Sequence, residues 1–240
     1  MRKNMSDLHT HTIASGHAYN TVTEMARAAA GKGLPILGIS DHGPMLPGGP
    51  HELYFCNFRA MPDELFGVRM LYGCELNIMD EEGHVDLPER FLNRMHYNIA
   101  SLHDICIDPM SREANTNAVR NAIKDPRIQI LGHPDDAKFA LDYEAVALAA
   151  KETHTLIELN NASLAPNSSR IGTRENDLVL LSYCKTYRVP IIMNSDAHFM
   201  TKIADYAFSE ALLREVDFPE ELIANYSMEM LKEYIPALRK

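Results

Sequence analysis

The chain has 240 residues, of which 46% are hydrophobic and 23% are charged, a balance that excludes a peptide, a disulfide miniprotein and a wholly disordered chain. Its 33 acidic and 23 basic residues give a formal net charge of -10, which argues against a surface built to neutralise nucleic-acid phosphates. The four cysteines form no C-x-x-C pair and no apolar run is long enough for a membrane span, so we expect reduced thiols and a cytoplasmic protein.

Short apolar runs alternate along the chain with longer segments whose apolar positions recur at i, i+3 and i+4. The predicted strands are residues 5–10, 36–40, 68–77, 98–102, 128–132, 155–160 and 190–194. The predicted helices are residues 23–31, 88–94, 113–124, 143–152 and 174–187, followed by a helical tail over about 207–240 with helices at 208–214 and 219–237. Alternating strands and helices predict a parallel α/β sheet, and seven strands predict a barrel.

The longest irregular stretch, residues 43–61, contains three prolines and three glycines. No repeat, charge block or Ser/Gly linker divides the sequence, and a domain boundary here would isolate two strands. We therefore predict a single domain in which this stretch is a long loop over the end of the barrel where active sites lie.

Histidine is the residue type whose placement is most informative, because it is the commonest metal ligand. Six of the 11 histidines lie in or just after the carboxyl end of a predicted strand: His9, His11, His42, His103, His133 and His198. Two acidic residues share the pattern, Glu75 late in the third strand and Asp196 after the seventh. The carboxyl ends of the strands converge in a parallel barrel, so we expect these side chains to meet.

The spacing within two of these motifs suits chelation. His9 and His11 are two residues apart on an extended segment, so both imidazoles leave the same face about 6.6 Å apart along the chain. Asp196 and His198 repeat this spacing at the last strand, which barrel closure places beside the first. Two short chelating motifs are therefore expected to lie side by side.

Each motif alone has a simpler interpretation. A His-x-His pair is common on a solvated strand, Ser40-Asp41 suits a helix cap, Glu75 suits a salt-bridged edge and Gly132-His133-Pro134 suits a turn. All of these interpretations would have to hold together, whereas one metal site accounts for ligands at five or six strand ends. The combination favours a metal site.

Six segments, in this order, resemble the polymerase and histidinol phosphatase (PHP) family from residue 7 to about 200: His9-Thr10-His11, Ser40-Asp41-His42, Gly73-Cys74-Glu75, Ser101-Leu102-His103, Gly132-His133-Pro134 and Ser195-Asp196-Ala197-His198. Residues 13–19 resemble the small, stand-alone bacterial branch of that family, the YcdX-like phosphatases. The resemblance implies a distorted seven-stranded (β/α)7 TIM-like barrel over residues 1–240. It also implies three bound divalent metal ions, usually Zn2+, with Mn2+ or Fe2+ as alternatives.

Carried over position by position, the resemblance implies nine ligands. The first metal would take His9, His11, Glu75 and Asp196. The second would share Glu75 and add His103 and His133. The third would take His17, His42 and His198, with His17 on the loop after the first strand. Asp41 lies outside the set and is predicted to orient His42 or to cap the next helix. The four remaining histidines, His51, His84, His96 and His154, are not assigned to metal.

Such a centre predicts hydrolysis of a small phosphomonoester by metal-activated hydroxide. No serine or cysteine elbow, P-loop or GxGxxG motif accompanies the cluster, so we expect no covalent intermediate. Arg170, after the sixth strand, is predicted to bind the substrate phosphate through two nitrogens; its simpler role would be to cap or solvate a loop. The candidates for the general acid are a metal-bound water and His51.

Three other interpretations stay open. The chain could be a PHP-type phosphodiesterase or exonuclease, or an amidohydrolase-like C–N hydrolase, although the latter usually requires a lysine and none falls among these strand ends. A structural metal site is disfavoured because such sites are closed and usually mononuclear. The expected partner is a small phosphorylated substrate, neither nucleic acid nor a membrane is expected, and the sequence leaves a homo-oligomer open.

Overall fold

Eight strands form one sheet in residues 3–239, the part of the chain that the computed structural model describes. They are β1 (Ser6–Asp7), β2 (Ile36–Ile39), β3 (Glu64–Leu65), β4 (Val68–Asn77), β5 (Tyr97–Ser101), β6 (Ile130–Leu131), β7 (Leu156–Asn160) and β8 (Ile191–Asn194). Seven of them are parallel neighbours in the order β1-β2-β4-β5-β6-β7-β8, and β3 pairs antiparallel with β4. The parallel strands form a nearly closed barrel, which confirms the predicted single-domain (β/α)7 fold.

Helices cover the outside of the barrel and occupy most of the connections between its strands. They are α1 (Val22–Gly31), α2 (Glu52–Cys56), α3 (Glu89–Leu92), α4 (Arg112–Ala122), α5 (Tyr143–Thr153), α6 (Thr173–Tyr187), α7 (Ala207–Glu215) and α8 (Met228–Tyr234). Several helices begin at a residue whose side chain caps the first turn. At the start of α1, the side chains and backbones of Thr21 and Glu24 form a reciprocal capping box. Within residues 3–239, none of the helices reaches the length and apolarity that a membrane crossing would demand.

The inner face of the barrel is apolar at the amino ends of the strands and polar at the carboxyl ends. Along β4, Leu71 belongs to the inner apolar cluster, and Glu75 lies four residues further on the same face. Side chains from α8 and the turn after it, including Leu231 and Ile235, join that inner cluster. The C-terminal segment therefore closes the amino end of the barrel and leaves the carboxyl end for the polar groups.

A buried asparagine completes the barrel between its first and last strands. Asn225 Oδ1 accepts from the Met193 amide at 2.7 Å, and its Nδ2 donates to the carbonyls of Met193 and Ser6 at 2.9 Å. Nearer the carboxyl end, the His11 amide donates directly to the Ala197 carbonyl at 2.9 Å. The chelating segments of the first and last strands are thus adjacent, as the sequence predicts.

Several predicted segments differ from the structure. The first strand is shorter than residues 5–10, because only Ser6–Asp7 forms a regular ladder. Residues 43–61 are not irregular throughout, since α2 and a 3-10 turn follow residue 51 and bury Phe55 and Phe58. The predicted helix over 219–237 is interrupted by extended backbone at residue 223, which forms a bridge to β8.

Candidate metal centre

All nine side chains that the resemblance singles out converge at the carboxyl end of the barrel. Glu75 lies within β4, and the others lie on segments that follow β1, β2, β5, β6 and β8: His9, His11, His17, His42, His103, His133, Asp196 and His198. Each of these strands contributes at least one imidazole or carboxylate. These side chains meet because the carboxyl ends of parallel strands lie at the same end of the barrel.

Glu75 is at the middle of this cluster and is fully buried. Its Oε1 is 2.7 Å from His133 Nε2 and 3.2 Å from His103 Nε2. Its Oε2 is 2.6 Å from His42 Nδ1 and 3.3 Å from His9 Nε2. One carboxylate therefore faces different imidazoles with each of its oxygens, which is the geometry that bridging of two ions requires.

Asp196 occupies the side of the cluster next to β1 and β8. Its Oδ1 is 3.2 Å from His11 Nε2, 3.7 Å from His9 Nε2 and 3.5 Å from His198 Nδ1. Its φ of +53° is in a region that non-glycine residues seldom occupy, and the φ of His133 is +25°. Unusual backbone conformations often persist at functional sites, where the surroundings fix them.

Four overlapping groups of side chains could each hold an ion: His11, His42 and His198; His9, His11 and Asp196; His9, Glu75 and His133; His42, Glu75 and His103. His17 adjoins them, with its Nε2 3.0 Å from His198 Nε2 and its ring centroid 5.0 Å from that of His42. His17 is exposed and lies on a loop, so it is the least fixed member of the cluster.

The polar atoms that face the centre indicate that the cluster fits divalent cations. Among the described residues, these buried atoms make no hydrogen bond of acceptable geometry: His9 Nε2, His11 Nε2, both ring nitrogens of His42, Glu75 Oε2, His103 Nε2 and Asp196 Oδ1. An unpaired buried polar atom costs about 1–3 kcal/mol, so seven such atoms at one place favour a bound cation. Imidazole and carboxylate donors suit Zn2+ and also Mn2+ or Fe2+.

In the chain without ions, protonation of His9 offsets the negative charge of the two carboxylates in the cluster. Burial opposes the charged form of His9, but Glu158, Glu75 and Asp196 outweigh it and raise the pKa of His9 well above its ordinary value. Burial also opposes ionisation of Glu75 and Asp196, yet neighbouring groups, His9 first, hold the pKa of both carboxyls well below its usual range. Burial lowers the pKa of His133 to about 4. The two carboxylates are ionised at neutral pH, as ligands must be.

Glu158 contacts the cluster but was not among the site residues predicted from the sequence. It lies inside β7, where its Oε1 is 2.7 Å from His9 Nδ1 and accepts from Asn194 Nδ2 at 2.8 Å. Its Oε2 accepts from the His133 amide at 2.9 Å and from Asn160 Nδ2 at 3.0 Å. The available signal was a glutamate between two apolar residues, Ile157 and Leu159, in a predicted strand.

Two other polar residues make hydrogen bonds to a ring of the cluster or to a segment that carries one. Asn77 Oδ1 is 2.7 Å from His103 Nδ1, which orients that ring. Asp41 does not have its predicted role, since it accepts from the Thr12 amide at 2.7 Å, from Ser15 Oγ at 2.7 Å and from the Tyr54 hydroxyl at 2.6 Å. It holds the segment that precedes His17, rather than the ring of His42 or the start of a following α-helix.

The unassigned histidines lie outside the cluster. His51 caps α2 by accepting from the Leu53 amide at 3.2 Å, and it is not among the residues that line the cavity beside the cluster. His84 pairs with Asp80 on an exposed turn, and His154 stacks on Tyr234 of α8. His96 accepts from the Tyr72 amide. The structure therefore gives no support to His51 as the general acid.

Arg170 lies at the edge of the cluster, on the wall of a cavity of about 490 Å3. Its two terminal nitrogens each donate to Asp196 Oδ2 at 3.1 Å, and Nη1 also donates to Ser163 Oγ at 3.1 Å. The guanidinium is thereby held beside Asp196 at the edge of the cluster.

Comparison with known proteins agrees with this geometry. The PHP domain model matches residues 7–169. The chain is 48% identical over 229 residues to a probable phosphatase of Caldicellulosiruptor saccharolyticus, covering 95% of both chains. It is 43% identical over 238 residues to a probable phosphatase of Clostridium acetobutylicum, covering 99% of this chain and 97% of that one. The chain belongs to the PHP domain family, and the prediction that it is a phosphatase, a hydrolase of phosphoric esters, is confirmed.

Solved structures with the same fold include a phosphatase and a chain of a ribonuclease P complex. Histidinol phosphate phosphatase from Lactococcus lactis, in complex with zinc, L-histidinol and phosphate, matches with a TM-score of 0.62 and 15% identity over 90% of this chain and 95% of that one. A chain of archaeal ribonuclease P with mature tRNA matches with a TM-score of 0.60 and 16% identity over 96% and 90%. At these identities the likeness establishes the fold alone, because one fold can carry several functions.

Proposed function

We propose that this phosphatase hydrolyses small phosphomonoesters with three divalent ions held by the nine clustered residues. The observation that carries the proposal is the position of Glu75, whose oxygens face His133 and His103 on one side and His42 and His9 on the other. In this assignment one ion lies between Glu75 and Asp196, a second lies on the other side of Glu75, and a third lies at the exposed end of the cluster.

The resemblance to the PHP family divides the nine residues into three groups of ligands. The first ion would bind His9, His11, Glu75 and Asp196. The second would bind Glu75, His103 and His133. The third would bind His17, His42 and His198, whose rings lie against one another. Zinc is the favoured metal because the Lactococcus lactis protein of the same fold holds zinc, and Mn2+ and Fe2+ are the alternatives.

Divalent ions, when bound, lower the pKa of water towards neutrality and offset the negative charge on the oxygens of a phosphoryl group. The chain supplies two carboxylates and seven imidazoles, so three divalent ions leave the centre with a net positive charge. This charge would attract a phosphate dianion into an otherwise acidic protein. Arg170 would hold one phosphate oxygen while Asp196 Oδ2 keeps the guanidinium in place.

A monoester suits this site better than a diester. A phosphate monoester offers three non-bridging oxygens to three ions, whereas a diester offers two. A nucleic-acid chain would also bring many phosphates against a protein with a net charge of -10. Small phosphomonoesters are therefore the proposed substrates.

Metal analysis and a paired substrate assay test the proposal. Protein purified without added metal or chelator is expected to contain about three divalent ions per chain. The zinc, manganese and iron forms should each be assayed with a chromogenic phosphate monoester, its diester analogue and single-stranded DNA. Faster turnover of the diester or DNA in every metal form would favour a PHP-type exonuclease instead, and one ion at full occupancy would exclude the trinuclear centre.

A further inference from the structure

The cavity beside the cluster is lined by two chemically different sets of side chains. Arg170, His17 and His198 belong to the cluster or contact it. Phe199 and Phe208 form an apolar part of the wall and are 43% and 39% exposed although both are large. The volume, about 490 Å3, is in the range of sites that hold a whole small molecule. The proposed phosphate-binding groups therefore account for only part of this lining.

Both rings are mounted on backbone that is tied to the catalytic end of the barrel. Asn161, which follows β7, accepts from the amides of Phe208 and Ser209 at 2.9 and 3.1 Å and so fixes the first turn of α7. Phe199 directly follows His198, whose carbonyl accepts from the Tyr19 amide at 3.1 Å. These bonds hold the rings at the cavity wall, where exposed apolar area is stabilised by an apolar ligand.

The charged residues at the rim are already satisfied within the protein. Lys138 Nζ lies 2.6 Å from Asp104, and Lys202 Nζ lies 3.3 Å from Asp205. Asp136 accepts from the backbone amides of Lys138 and Ile171. A second phosphate or an ammonium group on the substrate would therefore compete with partners that these residues already have.

We infer that the alcohol part of the substrate carries a flat, uncharged apolar ring that packs against Phe199 and Phe208. This inference rests on the proposed function, because the phosphate must lie at the cluster for the ring to reach the apolar wall. A contact between two aromatic rings raises affinity by about 2- to 10-fold beyond simple burial. Both phenylalanines together should give a preference of at least tenfold for such a substrate.

Primary alkyl phosphates that differ only in this group test the inference. We expect the metal-loaded enzyme to show a kcat/KM for benzyl phosphate at least about tenfold above those for ethyl phosphate and 2-aminoethyl phosphate. The double variant Phe199→Ala/Phe208→Ala should bring the benzyl-to-ethyl ratio to about 2 while the value for ethyl phosphate stays within about twofold. Phe66→Ala, at an exposed ring in the turn between β3 and β4, is the matched control and should keep the wild-type ratio.

Binding measured without turnover separates this inference from the proposed activity. Benzylphosphonate and ethylphosphonate, titrated calorimetrically into the metal-loaded chain and the double variant, should show the same preference and the same loss. Equal affinity for the two phosphonates, a preference that survives in the double variant, or a preference for 2-aminoethyl phosphate would overturn the inference. A ring preference in binding with no turnover of any monoester would instead show that the proposed activity is wrong.

Discussion

Glu75 lies where imidazoles from the ends of four strands converge, with two of them near one carboxylate oxygen and three near the other. In Glu75→Gln, one of those oxygens becomes an amide nitrogen that cannot bind a cation, and the negative charge between the ions is lost. We expect metal content, measured by plasma emission, to fall by about two ions per chain. Asp104→Asn, at an exposed carboxylate on the cavity rim, should keep the wild-type content. Loss of a single ion with activity retained would exclude the bridge.

Glu158 acts on a ligand rather than on an ion. Because His9 Nδ1 donates to Glu158, His9 Nε2 is left free to face Glu75 and Asp196. Both oxygens of Glu158 accept hydrogen bonds, so in Glu158→Gln the amide NH2 would face groups that are themselves donors. The ring of His9 would then lose the hydrogen bond that fixes its orientation.

We expect zinc affinity, measured by competition with a chromogenic chelator, to fall by about 10- to 100-fold in Glu158→Gln. Glu152→Gln, at an exposed position of α5, is the control for loss of a charge elsewhere. Wild-type affinity in Glu158→Gln would show that the hydrogen bond to His9 has no part in metal binding.

At the scale of elements, the segment between β1 and α1 carries His17 and is the least regular part of the site. It contains one 3-10 turn, Ile13–Ser15, held by Asp41, and His17 itself is exposed. Loops place ligands less rigidly than strands, so the third ion should be the weakest bound. His17→Ala is expected to lower metal content by about one ion and to leave the circular dichroism spectrum unchanged. An unchanged metal content would remove His17 from the site.

The sequence predicted the parts of the site that follow a local rule. Strand ends converge in a parallel barrel, so the His-x-His and Asp-x-His spacings could be placed next to each other without a structure. Glu158 could not be assigned in this way, because its role depends on β7 lying two strands from β1, with β8 between them. Asn225 was missed for the same reason, since an asparagine in a predicted helix gives no sign that it joins two strands 30 or more residues away.

At the scale of the whole molecule, the proposed ions connect strands that the backbone joins incompletely. Between β1 and β8, side-chain hydrogen bonds of Asn225, Asn194 and Asp7 take the place of most of a backbone ladder. His9 and His11 follow β1 and Asp196 follows β8, so an ion bound to all three would tie these strands together. The rings of His11, His42 and His198 also lie close together, and a cation bound between them would stabilise this arrangement.

Removal of the metals should therefore lower the stability of the fold as well as the activity. An ion present at 100 times its dissociation constant stabilises the folded chain by about 2.7 kcal/mol. For a chain of this length, 1 kcal/mol corresponds to a shift of about 2–4 °C in Tm, so chelation of even one such ion should lower Tm by roughly 5–10 °C. Scanning calorimetry of the native, chelated and zinc-restored protein measures this shift, with calcium-restored protein as the control for ionic strength. An unchanged Tm after verified removal of all ions would show that the barrel closes without them.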